Sequence, residues 1–208
     1  MSLKILVTSD HHSDEQLLEK TVKEANSGEY DLYVNLGDYM TEEYAEELLD
    51  RIEIPALGTT GNRDMHFSEE FMSGRTQVYH FLEADIDEEY LLILIGGDFP
   101  DDVKEKVTDL IKEHGDSSKV VVGSHYPPKR VGDQVHSGDR VGFDVFRELI
   151  IKEKPAVWMN GHIHEDYGHR KLMKTEVLNA SSEESKKGYS VELGNEGGIE
   201  EIKEVELN

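Results

Sequence analysis

Five short apolar runs punctuate the chain, and each ends in a turn that carries a polar side chain. They are Leu3–Thr8 ahead of Asp10, Asp31–Leu36 ahead of Gly37-Asp38, Ile54–Thr60 ahead of Gly61-Asn62, Lys119–Val122 ahead of Gly123-Ser124-His125, and Ala156–Met159 ahead of Asn160-Gly161-His162. Rich in Val, Ile and Leu and too short for helices, they predict buried strands. Helical periodicity fills the gaps between them. Ser13 and Gln16 have the spacing of a capping box, with Leu17, Leu18 and Val22 on one face behind it. Thr41 opens a second helix that carries Leu48, Leu49 and Ile52, and Pro100–His114 aligns Val103, Val107, Leu110 and Ile111 before Gly115 stops it. A fourth helix, Phe143–Lys154, ends before Pro155. Strand alternating with helix is an α/β signal.

Other stretches break the alternation. Val78–Gly97 reads as two strands with Glu88-Glu89 near their turn. The tail beyond Lys171 reads as β-structure, and Tyr189–Leu193 and Ile199–Leu207 form a hairpin across a glycine-rich turn. Ser181–Lys187, all serine, glutamate and lysine, reads as a solvated loop. Lys129–Gly142 is too long for a simple turn and is a candidate functional loop. No linker or repeat divides the 208 residues, so one domain over 1–208 is expected.

Composition narrows the chemistry. There is no cysteine, which excludes a disulfide framework, a thiolate metal site and a cysteine nucleophile. Against 45 Asp and Glu stand 22 Lys and Arg, a formal charge of −23, which disfavours a nucleic-acid partner. No apolar run nears the roughly 20 residues of a membrane helix. Leu3–Val7 is too short for a signal peptide. A soluble cytoplasmic protein is expected, and the charged edge strand leaves a homo-oligomer open.

Ligands of open α/β sheets bind beyond the carboxyl ends of the strands. The strand ends here present Asp10, His12, Asp38, Asn62, His125, His162 and His164. Carboxylate, imidazole and amide oxygen suit two divalent transition-metal ions, manganese first, with iron, zinc or nickel as alternatives. Seven donors exceed the needs of one ion, and a carboxylate can bridge two ions about 3.5–4 Å apart. Either Asp10 or Asp38 can supply that carboxylate. Two anionic ligands leave such a pair at about +2, enough to attract a phosphate in an acidic protein.

The motifs Asp10-His11-His12, Gly37-Asp38, Gly61-Asn62-Arg63-Asp64, the isolated His125 with Tyr126-Pro127-Pro128, and Gly161-His162-Ile163-His164 come in one order. In that order they resemble the calcineurin-like metallophosphoesterases. The resemblance implies two packed β-sheets in a four-layer α-β-β-α sandwich with the metals at the strand ends. It also implies that Asp10, His12 and His164 hold a first metal, that Asn62, His125 and His162 hold a second, and that Asp38 bridges them. Many members carry a histidine after the Asn, where this chain has Arg63. Arginine stays protonated, so it can bind phosphate oxygens but cannot protonate a leaving group.

The expected activity is therefore hydrolysis of a small phosphoester, a diester before a monoester, by a hydroxide bridging two metals. Asn62, Arg63 and Asp64 are the catalytic candidates, with Asp64 orienting Arg63 through an ion pair. His11, Arg63 and His136 are candidate substrate contacts, His136 as a replacement acid. The alternatives are a phosphomonoesterase, or a non-catalytic protein-interaction scaffold on the same fold, as in a retromer subunit of the family.

Overall fold

The structure is a computed structural model that describes residues 2–73, 77–87 and 89–208. Glu88, one of the two residues expected near a turn, lies outside them. In chain order the elements are β1 (Leu3–Thr8), α1 (Glu15–Ala25), β2 (Leu32–Asn35), α2 (Glu42–Asp50), β3 (Ala56–Thr59), α3 (Glu69–Ser73), β4 (Val78–Tyr79) and β5 (Phe81–Asp85). They continue with β6 (Leu91–Ile95), α4 (Val103–His114), β7 (Val120–Ser124), α5 (Asp144–Glu153), β8 (Val157–Asn160), β9 (Gly168–Leu172) and β10 (Thr175–Asn179). The last are α6 (Ser182–Ser185), β11 (Lys187–Leu193) and β12 (Ile199–Glu206).

Two six-stranded sheets result, ordered β12-β11-β1-β2-β3-β4 and β5-β6-β7-β8-β10-β9. The strands from β1 to β4 are parallel in the first sheet, and β6, β7, β8 and β10 are parallel in the second. Ile5, Val7, Val34, Leu36, Leu92, Leu94 and Met159 meet between the sheets. Leu6 and Tyr33 turn the other way onto Leu18, Ala45 and Leu48 of α1 and α2. Ile93, Val122 and Trp158 pack on Val107, Phe146 and Leu149 of α4 and α5. Burial on both faces explains the unbroken apolar runs, and the layers are the expected α-β-β-α sandwich.

Local details depart from expectation. The cap of α1 is Asp14, whose carboxylate accepts from the backbone N–H of Gln16 and Leu17, while the Ser13 hydroxyl donates to the Tyr39 carbonyl. Thr41 caps α2 as predicted. Val78–Gly97 holds three strands rather than two, because the chain crosses between the sheets at His80: β4 pairs with β3, and β5 pairs with β6. Ser181–Lys187 is not a solvated loop. Ser181 and Ser182 are fully buried, and the Ser182 N–H donates to the Ser9 carbonyl. No helix among the described residues is long and apolar enough to cross a membrane.

Candidate metal centre

Five of the parallel strands, β1, β2, β3, β7 and β8, point their carboxyl ends to one edge of the sandwich, and the turns that follow them carry the donors. These turns are tight. Asp10, His12, Asp38 and His162 all have positive φ, at 56°, 49°, 63° and 74°, a region that non-glycine residues seldom occupy. Backbone bonds hold them there, from Asp10 N to the Gly37 carbonyl (2.9 Å) and from His12 N to the Asp38 carbonyl (3.0 Å). The turns also pass so close that a Cβ at Gly61 would strike the Asp38 carboxylate, and one at Gly161 would strike Ser9 and the Asp10 carboxylate.

Two clusters form. Asp10, His12 and His164 each offer a donor atom within 4.8 Å of the others, and so do Asp38, His125 and His162. Asp38 lies between them, its Oδ2 3.2 Å from His12 Nε2 and its Oδ1 3.6 Å from His125 Nε2. Asn62 Oδ1 is 2.9 Å from His125 Nε2. The structure therefore brings all seven predicted donors together. Asp10 Oδ2 accepts from the His162 backbone N–H (2.9 Å) and the Ser181 hydroxyl (2.8 Å), which leaves Oδ1 buried without a hydrogen-bond partner, 3.6 Å from His164 Nε2. A buried carboxylate oxygen in that state is costly unless an ion meets it, so the donor set fits a metal.

Electrostatics separate the clusters. Burial works to raise the Asp10 carboxyl, yet contact with His164 and the charge of His125 hold it well below the usual carboxylate range. Burial works to lower His12, but the bond to Asp38 and the charges of Asp10 and Glu183 raise it to about 9. The Asp10 contact also raises His164. In the second cluster burial, with the charge of His125, pushes His162 down to about 4.

Other predicted residues fall differently. His11 is fully buried behind the site, with Nδ1 3.2 Å from the Tyr44 hydroxyl and Nε2 3.0 Å from the Thr8 hydroxyl, so it offers no nitrogen to a substrate. Asp64 makes no ion pair with Arg63 among the described residues. It is fully buried, and its carboxylate accepts from the backbone N–H of Asp38 (2.7 Å), Gly61 (2.8 Å) and Met40 (3.0 Å), which makes it a clamp of the turns. Arg63 is exposed, and its backbone N–H donates to Asp38 Oδ1 (2.8 Å). His136 is not drawn to either cluster; its side chain is 82% exposed, with Glu165 4.0 Å away. The residue that sequence reasoning missed is Glu183, 2.7 Å from His12 Nδ1 and 3.2 Å from His164 Nδ1. Its place in an acidic, serine-rich stretch carries no local signal.

The sequence model of the calcineurin-like phosphoesterases matches residues 3–166. Among solved structures the chain is similar to TT1561 of Thermus thermophilus, at 15% identity with 100% of each chain covered and a TM-score of 0.63. It is also similar to a novel archaeal phosphodiesterase, at 15% identity, 98% of this chain and 99% of that one, TM-score 0.55. A third likeness is to Vacuolar Protein Sorting 29 from Cryptosporidium parvum, at 12% identity, 99% of this chain and 98% of that one, TM-score 0.52. At such identities the likeness is one of fold. No curated protein sequence matches the chain.

Proposed function

The chain belongs to the calcineurin-like phosphoesterase family, and from that premise we propose that it hydrolyses phosphodiesters at the paired clusters. The observation that carries this reading is the position of Asp38, one carboxylate oxygen toward His12 and the other toward His125. Asp10, His12 and His164 would hold one divalent ion, and Asn62, His125 and His162 the other, with Asp38 shared. Such a pair supplies a nucleophilic hydroxide at neutral pH and polarises the phosphoryl oxygens.

The protein's own groups do the positioning. Arg63 is fixed at its backbone by the bond to Asp38, and its exposed guanidinium is free to bind phosphate oxygens as a planar fork. Having no proton to give, it favours substrates whose leaving group departs without an acid. Substitution of His11 should act through packing, because its ring is enclosed by Thr8 and Tyr44.

Manganese is the first ion to test. Metal-depleted protein reloaded with Mn²⁺ is assayed against aryl phosphodiesters and aryl phosphomonoesters, with metal content measured in parallel. Two equivalents and faster turnover of the diesters are expected. Asp38→Asn should lose at least about 100-fold, beyond the roughly 10–100-fold typical of outer-shell changes. Wild-type turnover in that variant would overturn the two-metal reading, and two equivalents with no turnover on any phosphoester would favour a scaffold.

A further inference from the structure

We propose that Glu183 is the positioning residue of the first cluster, and that it makes the two metal sites unequal; this rests on the dinuclear reading above. One carboxylate oxygen, Oε2, faces Nδ1 of both His12 (2.7 Å) and His164 (3.2 Å). His12 follows β1 in the first sheet and His164 follows β8 in the second, and their rings lie 5.0 Å apart, so Glu183 ties together ligands from both sheets. A ring nitrogen that faces a carboxylate keeps its proton, which leaves Nε2 of each ring as the metal-facing lone pair. Those Nε2 atoms are the ones that meet Asp38 and Asp10.

The second cluster is supported differently. His125 Nδ1 donates to the Leu36 backbone carbonyl (2.9 Å), a neutral acceptor. Asn62 is a neutral donor there, so the shared Asp38 is the only carboxylate among its proposed ligands. The first cluster has Asp10 and Asp38 in front and Glu183 behind. Negative charge behind an imidazole raises its basicity as a ligand, so the first site takes its ion more tightly and fills before the second.

Glu183 is built in rather than left to swing. Its helix α6 is pinned at Ser182 N to the Ser9 carbonyl (2.9 Å), at the Ser181 hydroxyl to Asp10 Oδ2 (2.8 Å), and at Lys186 Nζ to Asp14 (2.7 Å). Each of these partners lies at the end of β1 or in the turn beyond it, beside His12.

Glu183→Gln keeps the volume and removes the charge. Mn²⁺ binding to the metal-depleted full-length chain is followed by titration calorimetry, with metal retained after dialysis as a second readout. Wild type should show two separable events. In Glu183→Gln the tighter event should weaken by about 10–100-fold and the weaker one stay put. Glu183→Asp, which keeps the charge but shortens its reach, should fall between. His162→Ala should do the reverse and lose the weaker event. Equal weakening of both events in Glu183→Gln, or two events at wild-type affinity, would overturn the proposal. A wild type that never binds two equivalents would instead bring down the dinuclear reading and the proposal with it.

Discussion

Six non-glycine residues at or near the predicted donors have positive φ: Asp10, His12, Ser13, Asp38, Met40 and His162. Each such residue carries of order 1 kcal/mol of backbone strain, which persists only where the surroundings over-determine it. Asp64 does much of that determining, since its carboxylate takes three backbone N–H groups, the buried ones of Asp38 and Gly61 and the part-buried one of Met40, and Asp38 and Met40 are both strained. Asp64→Ala would orphan the two buried N–H groups at about 1–3 kcal/mol each. A thermal melt should show a loss of about 2 kcal/mol or more, and an unchanged melting temperature would refute the clamp. Arg63 predicts the opposite pattern. It is exposed, so Arg63→Ala should leave the melt within about 0.5 kcal/mol of wild type. It should still lower kcat/KM on phosphodiesters by about 10–100-fold, the worth of a charge-assisted hydrogen-bond pair. The gathering of the seven predicted donors at one place is legible in the sequence because each follows an apolar run at a turn. The direction of His11 is not, because a left-handed turn between Asp10 and His12 sends their side chains one way and His11 into the core.

The segment Lys129–Gly142 contains no helix and no strand of its own, yet it is braced. Asp133 is fully buried, and its carboxylate accepts from Arg140 Nη1 (2.9 Å) and from the backbone N–H of Arg130 (2.8 Å) and Gly142 (3.1 Å), which joins the two ends of the loop. Burial opposes ionisation, but the Arg140 bond and the two N–H groups hold the Asp133 carboxyl below its ordinary value. A lowered folded pKa stabilises above the unfolded value of about 3.9 and is lost as pH falls through the folded one. Asp133→Asn should therefore lower the urea midpoint by a constant amount above about pH 5. The gap to wild type should close below about pH 3.9. A gap independent of pH would show that the charge is not what holds the loop. Elements of this size are only partly legible. Buried strands announce themselves by apolar runs, whereas the cap assigned to Ser13 falls to Asp14, because the Ser13 hydroxyl is taken by the Tyr39 carbonyl, a partner distant in sequence.

The motif-bearing residues end at His164 and the family match at residue 166, but the sandwich does not close there. Sheet one needs β11, which pairs with β1 from Leu3↔Leu193 to Val7↔Tyr189, and sheet two needs β10, which pairs with β8. The Tyr90 hydroxyl, at the start of β6, reaches the carbonyls of Gly194 and Gly198 (2.8 and 2.9 Å) and so fastens the second sheet to the hairpin of the first. A chain cut after Lys186 keeps every predicted donor. It should nonetheless show no cooperative thermal transition by circular dichroism, because β1 would lose its neighbour on one side. A sharp transition would show that the terminal hairpin is dispensable. Local periodicity does not say which sheet a strand will join, so the split of β4 from β5 and the return of β11 to β1 are visible only in three dimensions.

The return of β11 to β1 also sets an order of events during synthesis. Asp10 and His12 are synthesised long before their neighbours Ser181 and Glu183, and before β11, the strand that pairs with β1. A nascent chain displays histidines and carboxylates long before it can arrange them. Any selection of an ion by the geometry of these clusters would therefore belong to the folded molecule, and the ion supply that governs it would be that of the compartment where folding finishes.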